Sequence, residues 1–138
     1  MLIELHTHTS EHSLCGRVKA TDLLHFVVRQ GVQGVVLTDH HYLWGEEELA
    51  SLRHSSSIPD NFLLLSGQEV TTADVGDVIV YGANESIHQS ILLNDLRNKY
   101  PEAALVWAHP YRGHRRPSSI ELFNAAFDAI EIVNSHQW

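Results

Sequence analysis

Short apolar runs alternate with amphipathic segments along the chain, and this pattern predicts alternating strands and helices. The predicted strands are residues 1–5, 35–37, 62–65, 77–81, 104–107 and 129–133. Nearly continuous apolar strands separated by helical segments are typical of a mainly parallel sheet, either open or rolled into a barrel. The pattern therefore predicts an α/β fold, and residues 1–138 fit a single domain with a modest core.

Four segments between these strands carry helical signals. The first has apolar residues at helical spacing, with Thr21 as its N-cap and Gly31 at its end. A Glu-rich helix follows at 45–53. Two capping-box patterns predict the starts of the last two helices: Ser86 with Gln89, and Ser118 with Glu121.

Composition narrows the function classes. A net charge of -8 over 138 residues argues against a broad electrostatic grip on nucleic acid. The single cysteine cannot form an internal disulfide, the first residues lack a leader pattern, and no segment has the roughly 20 apolar residues of a membrane span. We therefore expect a cytoplasmic protein with no membrane segment. The 11 histidines exceed what packing requires and indicate a chemical role.

Side chains that commonly bind metals follow the predicted strands, at the point where each strand ends. These residues are His6, His8, His40, Glu69, His109 and His136. Because the carboxyl ends of parallel strands meet at one edge of an α/β fold, we expect these side chains to converge on one crevice. Any one of them alone could be a solvated strand-end residue. As a set from several strands, they predict a metal centre.

Individual spacings refine this centre. His6 and His8 lie two residues apart in an extended segment, so both imidazoles face the same side and can reach one ion. Glu69 is a candidate bridging carboxylate, since one carboxylate can span two cations. Asp39 directly precedes His40 and could orient its ring.

The segments around this centre offer further candidates. His109 precedes Pro110, which favours an extended backbone at the end of that strand. His12 lies in the loop after the first strand, and we rank it as a ligand above Asp77, which begins a strand rather than ending one. Cys15 could supply a soft ligand, but a small buried cysteine is the commoner case.

A basic segment follows His109. Arg112, Arg115 and Arg116 come just before the capped helix that begins near Ser118. Arginines beside a helix N-terminus can bind an anion, and a solvated basic turn is the alternative. If the segment faces the metal centre, it predicts a phosphorylated substrate.

Five motifs resemble, in order and spacing, those of the PHP family (polymerase and histidinol phosphatase domains). They are HTHTSEHS, LTDHH, SGQEVTT with GDVIVYG, WAHP and IEIVN, and they cover nearly the whole chain. The resemblance implies a distorted, TIM-like barrel with two or three metal ions at the C-terminal ends of its strands. The ligands it implies are His6, His8, His40, Glu69 and His109, with His12 for a third ion. Many relatives have a histidine at the position of Asp77.

The sequence departs from this family pattern at its C-terminus. Family members continue past the IEIVN strand to an Asp-x-His motif, whereas this sequence ends at Trp138. We therefore expect an incomplete barrel with an exposed edge. His136 is a less favoured candidate to replace the missing ligand in part. The alternatives are a fragment of a longer protein, a fold completed by another chain or by a homo-oligomer, and a degenerate remnant.

The resulting hypothesis is a metal-dependent phosphoesterase that hydrolyses a small phosphomonoester. Ligands rich in nitrogen and oxygen favour Zn²⁺, Mn²⁺ or Fe²⁺, and two or three such ions would activate a water molecule. Asp39, Glu69 and His109 would lie at the reaction centre, while the three arginines would bind the phosphate. The alternatives are a catalytically inactive metal-binding or regulatory domain, and a metal-dependent amidohydrolase or nuclease. The net charge of -8 weakens the nuclease alternative.

Overall fold

The structure, a computed structural model, describes residues 1–134 and contains strands, α-helices and one 3-10 turn in that range. In chain order the strands and α-helices are β1 (Ile3–Thr7), α1 (Ala20–Arg29), β2 (Gly34–Leu37), α2 (Glu46–Ser56), β3 (Leu63–Ser66), β4 (Gln68–Thr71), β5 (Asp77–Tyr81), α3 (Leu93–Lys99), β6 (Ala104–Trp107), α4 (Ser119–Leu122) and β7 (Ala129–Ile130). Within residues 1–134, none of the helices has the length and apolar character needed to cross a membrane.

The first three strands form a parallel sheet in the order β1-β2-β3. All four residues of the central strand β2 are buried, as expected for a strand with neighbours on both edges and a helical layer on one face. That face packs against α1 and α2 in a core that contains Leu24, Val35, Leu37, Leu52 and Leu64. This packing fixes the C-terminal ends of β1 and β2, where candidate histidines lie.

The remaining strands form a mixed sheet in the order β4-β5-β6-β7. Strand β5 runs antiparallel to both of its neighbours, whereas β6 and β7 are parallel. Helix α3 packs on this sheet through a second core that contains Val70, Val80, Leu93, Leu96 and Leu105. The antiparallel pairing places the first residue of β5, Asp77, opposite Thr71 at the end of β4.

A tight corner at Gly67 carries the chain from the first sheet into the second. Strand β3 ends one residue before it, and β4 begins one residue after it. A Cβ atom at Gly67 would lie 2.8 Å from the Tyr81 ring and 3.0 Å from the carbonyl oxygen of Val80, so the corner requires glycine. A parallel bridge between His40 and Glu69 joins the two sheets beside this corner.

The predicted α/β class is confirmed, while the barrel is not shown. Both sheets are open within residues 1–134, so closure into a TIM-like barrel stays a prediction. The expectation of mainly parallel strands holds for the first sheet and is wrong for β5. The loop at 72–76 is long enough for an antiparallel hairpin, whereas a parallel return needs a dozen or more residues.

The start of α1 differs from the expected one. Thr21 lies inside the helix and does not cap it. The N-terminal N–H of the helix, from Ala20, instead donates to both carboxylate oxygens of Glu11 at 3.0 and 3.2 Å. The capping group therefore comes from the preceding loop, nine residues earlier.

The start of α3 is also later than the capping box predicted. The Ser86 hydroxyl lies outside the helix and accepts the backbone N–H of Leu43 at 2.9 Å. The Ser86 hydroxyl thus bonds a distant segment of the chain instead of capping a helix. By contrast, the capping box of Ser118 and Glu121 is confirmed at the start of α4.

Candidate metal centre

Five side chains that lie in strands of the two sheets or shortly after them meet in one cluster. His6 lies in β1 and His8 follows it, His40 follows β2, Glu69 lies in β4, and His109 follows β6. The side chain of Glu69 is only 1% exposed, and those of His6 and His109 are 7% exposed. These three side chains are shielded from solvent, which strengthens their electrostatic interactions, whereas His8 and His40 are 17% and 31% exposed toward the cleft.

Glu69 lies at the centre of the cluster, and its two carboxylate oxygens face different imidazoles. Oε2 lies 3.3 Å from His6 Nε2, 3.0 Å from His8 Nε2 and 3.3 Å from His40 Nε2. Oε1 lies 2.9 Å from His109 Nε2. A carboxylate that faces two sets of donors in this way is placed to bridge two cations.

Two features of the cluster fit a metal ion. Glu69 Oε2 is buried and, among the described residues, has no hydrogen bond of acceptable geometry, although three imidazole nitrogens surround it. His6 Nε2 and His8 Nε2 also face each other at 3.1 Å. Donors bound to one ion at about 2.0–2.1 Å, at angles of roughly 90–110°, lie about 2.9–3.4 Å apart. The observed spacings fall within that range.

The donor atoms of the cluster form three overlapping groups, and within each group they lie within 4.8 Å of one another. The groups are His6 with His8 and Glu69, Glu69 with Asp77 and His109, and His8 with Cys15 and His40. The first and second groups share Glu69, and the first and third share His8. The three groups therefore form one continuous set of donors.

The buried carboxylates shift the ionisation of the cluster. Burial alone would lower the pKa of His6, but its hydrogen bond to Glu131 and the close approach of Glu69 raise it to about 9. Burial would raise the pKa of Glu69, but contacts with the imidazoles, His109 first, hold it well below its usual range. Burial lowers the pKa of His40. Without metal, His6 therefore carries a proton at pH 7 that a metal ion must displace.

Glu131, which the sequence patterns did not single out, positions two of the histidines. Its Oε1 lies 3.0 Å from His6 Nδ1, and its Oε2 accepts the backbone N–H of His109 at 2.7 Å. Asn134 Nδ2 donates to the same Oε1 at 2.9 Å. With Nδ1 held by Glu131, the other ring nitrogen of His6 faces Glu69, as in the carboxylate–imidazole pairs that orient metal ligands. A lone acidic residue in the apolar run at 129–133 was the only signal in the sequence.

Asp39 holds the loop after β1 rather than the ring of His40. Its buried carboxylate accepts from Thr9 N at 2.7 Å, Thr9 Oγ1 at 2.7 Å, Ser13 Oγ at 2.6 Å and Trp44 Nε1 at 2.8 Å. Ser13 Oγ also accepts the backbone N–H of His40 at 3.0 Å and lies 3.3 Å from His8 Nδ1. The Ser13 hydroxyl donates its one proton to Asp39, so it can only accept a hydrogen bond from His8. His8 Nδ1 therefore donates to Ser13, and its Nε2 faces the cluster.

The structure places Asp77 beside the cluster and His12 away from it. Asp77 Oδ2 lies 3.7 Å from His109 Nε2, because the antiparallel β5 begins at the edge where β4 ends. His12 lies away from the cluster, with its ring stacked on that of Tyr42 at a centroid distance of 3.5 Å. The structure therefore brings Asp77, and not His12, to the other donors. The candidate His136 lies outside the described residues.

The backbone at His109 also differs from the extended geometry expected before Pro110. Its φ is +27°, in the left-handed region that residues other than glycine rarely adopt. The bond from its N–H to Glu131 and the contact of its ring with Glu69 hold it there. Such strain costs about 1–3 kcal/mol and is concentrated at functional sites.

The cluster lines a cleft of about 700 Å³. Residues of the loop at 14–18 form another part of its wall. Two arginines line it, Arg112 and Arg17, of which the sequence analysis considered only the first. The guanidinium of Arg112 lies 3.8 Å from Asp77 Oδ2, at the long end of an ion pair. Positive charge is therefore available to an anion that enters the cleft.

The other two arginines of the basic segment lie elsewhere. Arg115 pairs with Glu121 at 2.6 Å, and its guanidinium lies over the Trp107 ring at 5.0 Å. Arg116 is exposed and is not among the described residues that line the cleft. Of the three arginines predicted to form an anion site, Arg112 is thus the one that lines the cleft.

Comparison with known proteins supports this architecture. No protein family model matches the sequence, and no curated protein matches it. A solved structure from Bifidobacterium adolescentis, of a protein that carries the provisional name of metal-dependent phosphoesterase, is similar with a TM-score of 0.67. The match covers 94% of this chain and 76% of that protein, at 16% sequence identity. At that identity the likeness shows a shared fold.

Proposed function

We propose that this protein is a metal-dependent phosphoesterase that hydrolyses a small phosphomonoester. The observation that carries the proposal is the convergence of four imidazole nitrogens on the two carboxylate oxygens of Glu69, all within 3.3 Å, at the wall of an open cleft. The fold shared with a protein named as a metal-dependent phosphoesterase supports it.

The residues of the cluster would hold two or three divalent ions. His6, His8 and Glu69 would hold one ion, and Glu69, Asp77 and His109 would hold a second. Nitrogen and carboxylate donors in this proportion favour Zn²⁺, Mn²⁺ or Fe²⁺. When bound, such ions neutralise phosphoryl oxygens and lower the pKa of a water molecule toward neutrality.

Other residues of the chain would position the substrate and the ligands. Arg112 lines the cleft and would bind phosphoryl oxygens as their charge increases toward the transition state. Its contact with Asp77 is long enough to leave guanidinium N–H groups for the substrate. Glu131 would keep His6 oriented, and Ser13, held by Asp39, would keep His8 oriented. In this account Asp39 acts through the loop and not on the substrate.

The same proposal assigns the chain to the PHP family and its strands to part of that family's distorted barrel. Two contacts between the sheets, besides their shared corner, support this assignment. His6 in β1 contacts Glu131 just after β7, and the Tyr81 hydroxyl of β5 donates to the carbonyl oxygen of Leu5 at 2.8 Å. Such contacts between the two sheets are compatible with strands that belong to a closed barrel.

Hydrolysis of p-nitrophenyl phosphate by metal-free protein, reloaded with Zn²⁺, Mn²⁺ or Fe²⁺, tests the proposal. We expect turnover only after reloading, and its loss in the Glu69→Gln and His8→Ala variants. His88→Ala is the matched control, because His88 is exposed and does not line the cleft. It should retain full turnover.

The other outcomes separate the alternatives. Metal binding without turnover of any phosphomonoester would favour a catalytically inactive metal-binding domain. Hydrolysis of amides or of DNA, but not of small monoesters, would favour the amidohydrolase or nuclease alternative. Turnover that survives complete removal of metal would refute the proposed chemistry.

A further inference from the structure

One wall of the cleft is apolar. Leu14 and Val18, in the loop between β1 and α1, line it together with Leu23 of α1. Leu14 is fully exposed and Val18 is 45% exposed. Cys15, where the sequence favoured a buried packing residue, is exposed along the same wall. Aliphatic side chains that face water at the wall of a cleft gain free energy when an apolar ligand covers them.

Hydrogen bonding and close packing fix the loop that carries this wall. The Ser10 N–H donates to the carbonyl oxygen of Val18 at 2.9 Å, which closes the base of the loop. A Cβ atom at Gly16 would lie 2.1 Å from the carbonyl oxygen of Thr9, so the loop packs there as only glycine allows. The backbone that presents Leu14 to the cleft is therefore already ordered, and a ligand need not order it on binding.

The cleft has room for more than a phosphoryl group. Its volume is about 700 Å³, and pockets of about 300–1,000 Å³ accommodate organic molecules of moderate size. The metal cluster and Arg112 line one part of the cleft, and the apolar wall lines another. A phosphoryl group held at the cluster would therefore leave the rest of the substrate beside Leu14 and Val18.

Arg17 lies on the same wall and raises the alternative of a second anionic group on the substrate. Arg17 is exposed, and a single exposed ion pair contributes little to binding. The net charge of -8 also opposes a second anionic group. Three aliphatic side chains offer more to an apolar group, because each can lose contact with water when the group binds.

We propose that the substrate is a phosphomonoester with an apolar leaving group, which the wall of Leu14, Val18 and Leu23 binds. The proposal rests on the proposed function and adds the class of alcohol that is released. In the hydrolysis the P–O bond to this alcohol breaks, the oxygen of water bonds to phosphorus, and a proton from that water passes to the alcohol. Apolar contacts do not change as the phosphoryl charge develops, so they lower KM more than they raise kcat.

Steady-state kinetics on three phosphate esters of primary alcohols test the proposal. n-Hexyl phosphate has an apolar leaving group, glycerol 1-phosphate a polar one and 3-phosphoglycerate an anionic one. The three leaving oxygens are chemically alike, so differences in kcat/KM report on the contacts of the alcohol. We expect kcat/KM of the metal-loaded protein to be about tenfold higher for n-hexyl phosphate than for the other two, mainly through a lower KM.

Variants of Leu14 assign this preference to the wall. Leu14→Ser should lower the preference for n-hexyl phosphate over glycerol 1-phosphate by about tenfold. Because Leu14 is fully exposed, its replacement removes no packing from the core. Leu14→Met keeps an apolar side chain and should keep the preference. Ile120→Ser is the matched control, since it alters another exposed apolar side chain that is not among the described residues lining the cleft.

The outcomes distinguish this inference from the proposed function. Turnover of n-hexyl phosphate and glycerol 1-phosphate with equal kcat/KM, or a preference that survives in Leu14→Ser, would overturn the apolar wall and leave the proposed function intact. A preference for 3-phosphoglycerate that Arg17→Ala removes would overturn it in favour of an anionic leaving group. No turnover of any phosphomonoester by the metal-loaded protein would overturn the proposed function and this inference with it.

Discussion

Glutamine at position 131 would keep the size of the side chain and remove one of its two acceptor oxygens. Glu131 accepts at Oε1 from His6 Nδ1 and from Asn134 Nδ2, and at Oε2 from the backbone N–H of His109. The amide NH₂ of Glu131→Gln must face either His6 or His109, where it meets another N–H. One of the two histidines therefore loses its orienting bond.

The expected loss follows from the strength of such contacts. A hydrogen bond to a charged group contributes about 1.5–3 kcal/mol. Loss of an orienting partner of a metal-bound histidine typically weakens metal affinity by about 10–100-fold, which corresponds to about 1.4–2.7 kcal/mol. The two estimates agree, so we expect Glu131→Gln to weaken Zn²⁺ binding by about 10–100-fold.

The pH of the measurement decides whether this loss is visible. Glu131 helps to raise the pKa of His6 to about 9, and at pH 7 displacement of that proton costs up to about 2.7 kcal/mol. The variant lowers this pKa, which makes the proton easier to displace and offsets the loss of orientation. Near pH 9 protons compete only weakly with Zn²⁺ for His6. The change in affinity measured there therefore reflects the lost orientation of the histidine.

Zn²⁺ affinity near pH 9, measured by competition with a chelator of known affinity, is the appropriate assay. Glu102→Gln removes the same charge from an exposed position away from the cleft and serves as the matched control. An affinity of Glu131→Gln within about threefold of the control would refute the assigned role of Glu131.

Three further predictions concern the pH dependence, the loop and the anion site. Metal binding should tighten as pH rises toward the His6 pKa of about 9 and should release protons at pH 7, which calorimetry in two buffers of different ionisation enthalpy would detect; a pH-independent affinity would count against it. Gly16→Ala should lower the free energy of unfolding by about 1–3 kcal/mol or more, because its Cβ would meet the Thr9 carbonyl oxygen at 2.1 Å; an unchanged midpoint in urea would contradict that contact. Arg112→Ala should lower kcat/KM for phosphomonoesters by about 10²-fold while Arg116→Ala leaves it unchanged, and equal effects in steady-state kinetics would exclude an anion site at Arg112.

The sequence contained enough information to locate most strands but not their directions. The apolar runs at 77–81 and 104–107 match the observed β5 and β6 at both ends. A five-residue apolar run is the same in a parallel and an antiparallel strand, so periodicity could not show that β5 reverses. The short connection at 72–76 was the available signal. Its neglect also led to the low ranking of Asp77.

The candidate site was predictable where a ligand follows directly from its strand. His6, His8, His40, Glu69 and His109 were expected to converge, and the structure brings them together. Convergence follows from topology, since strand ends share one edge of the fold. Their role as ligands stays a prediction.

Residues whose roles depend on distant contacts were not predictable. Glu131 meets His6 across 125 positions of sequence, and no local spacing encodes such a pairing. The stacking of His12 on Tyr42 likewise depends on how two loops pack. His12 was ranked above Asp77 as a ligand from its place in the loop after the first strand, but its ring packs on an aromatic side chain instead of facing the cluster.

The decisive measurement is the number of metal ions per chain, obtained by elemental analysis after loading with Zn²⁺ and removal of excess metal. We expect two or three ions per chain in the parent protein and at most one in Glu69→Gln, because Glu69 belongs to two of the three donor groups. Fewer than one ion in the parent protein, or the same count in Glu69→Gln, would contradict a metal centre built around Glu69.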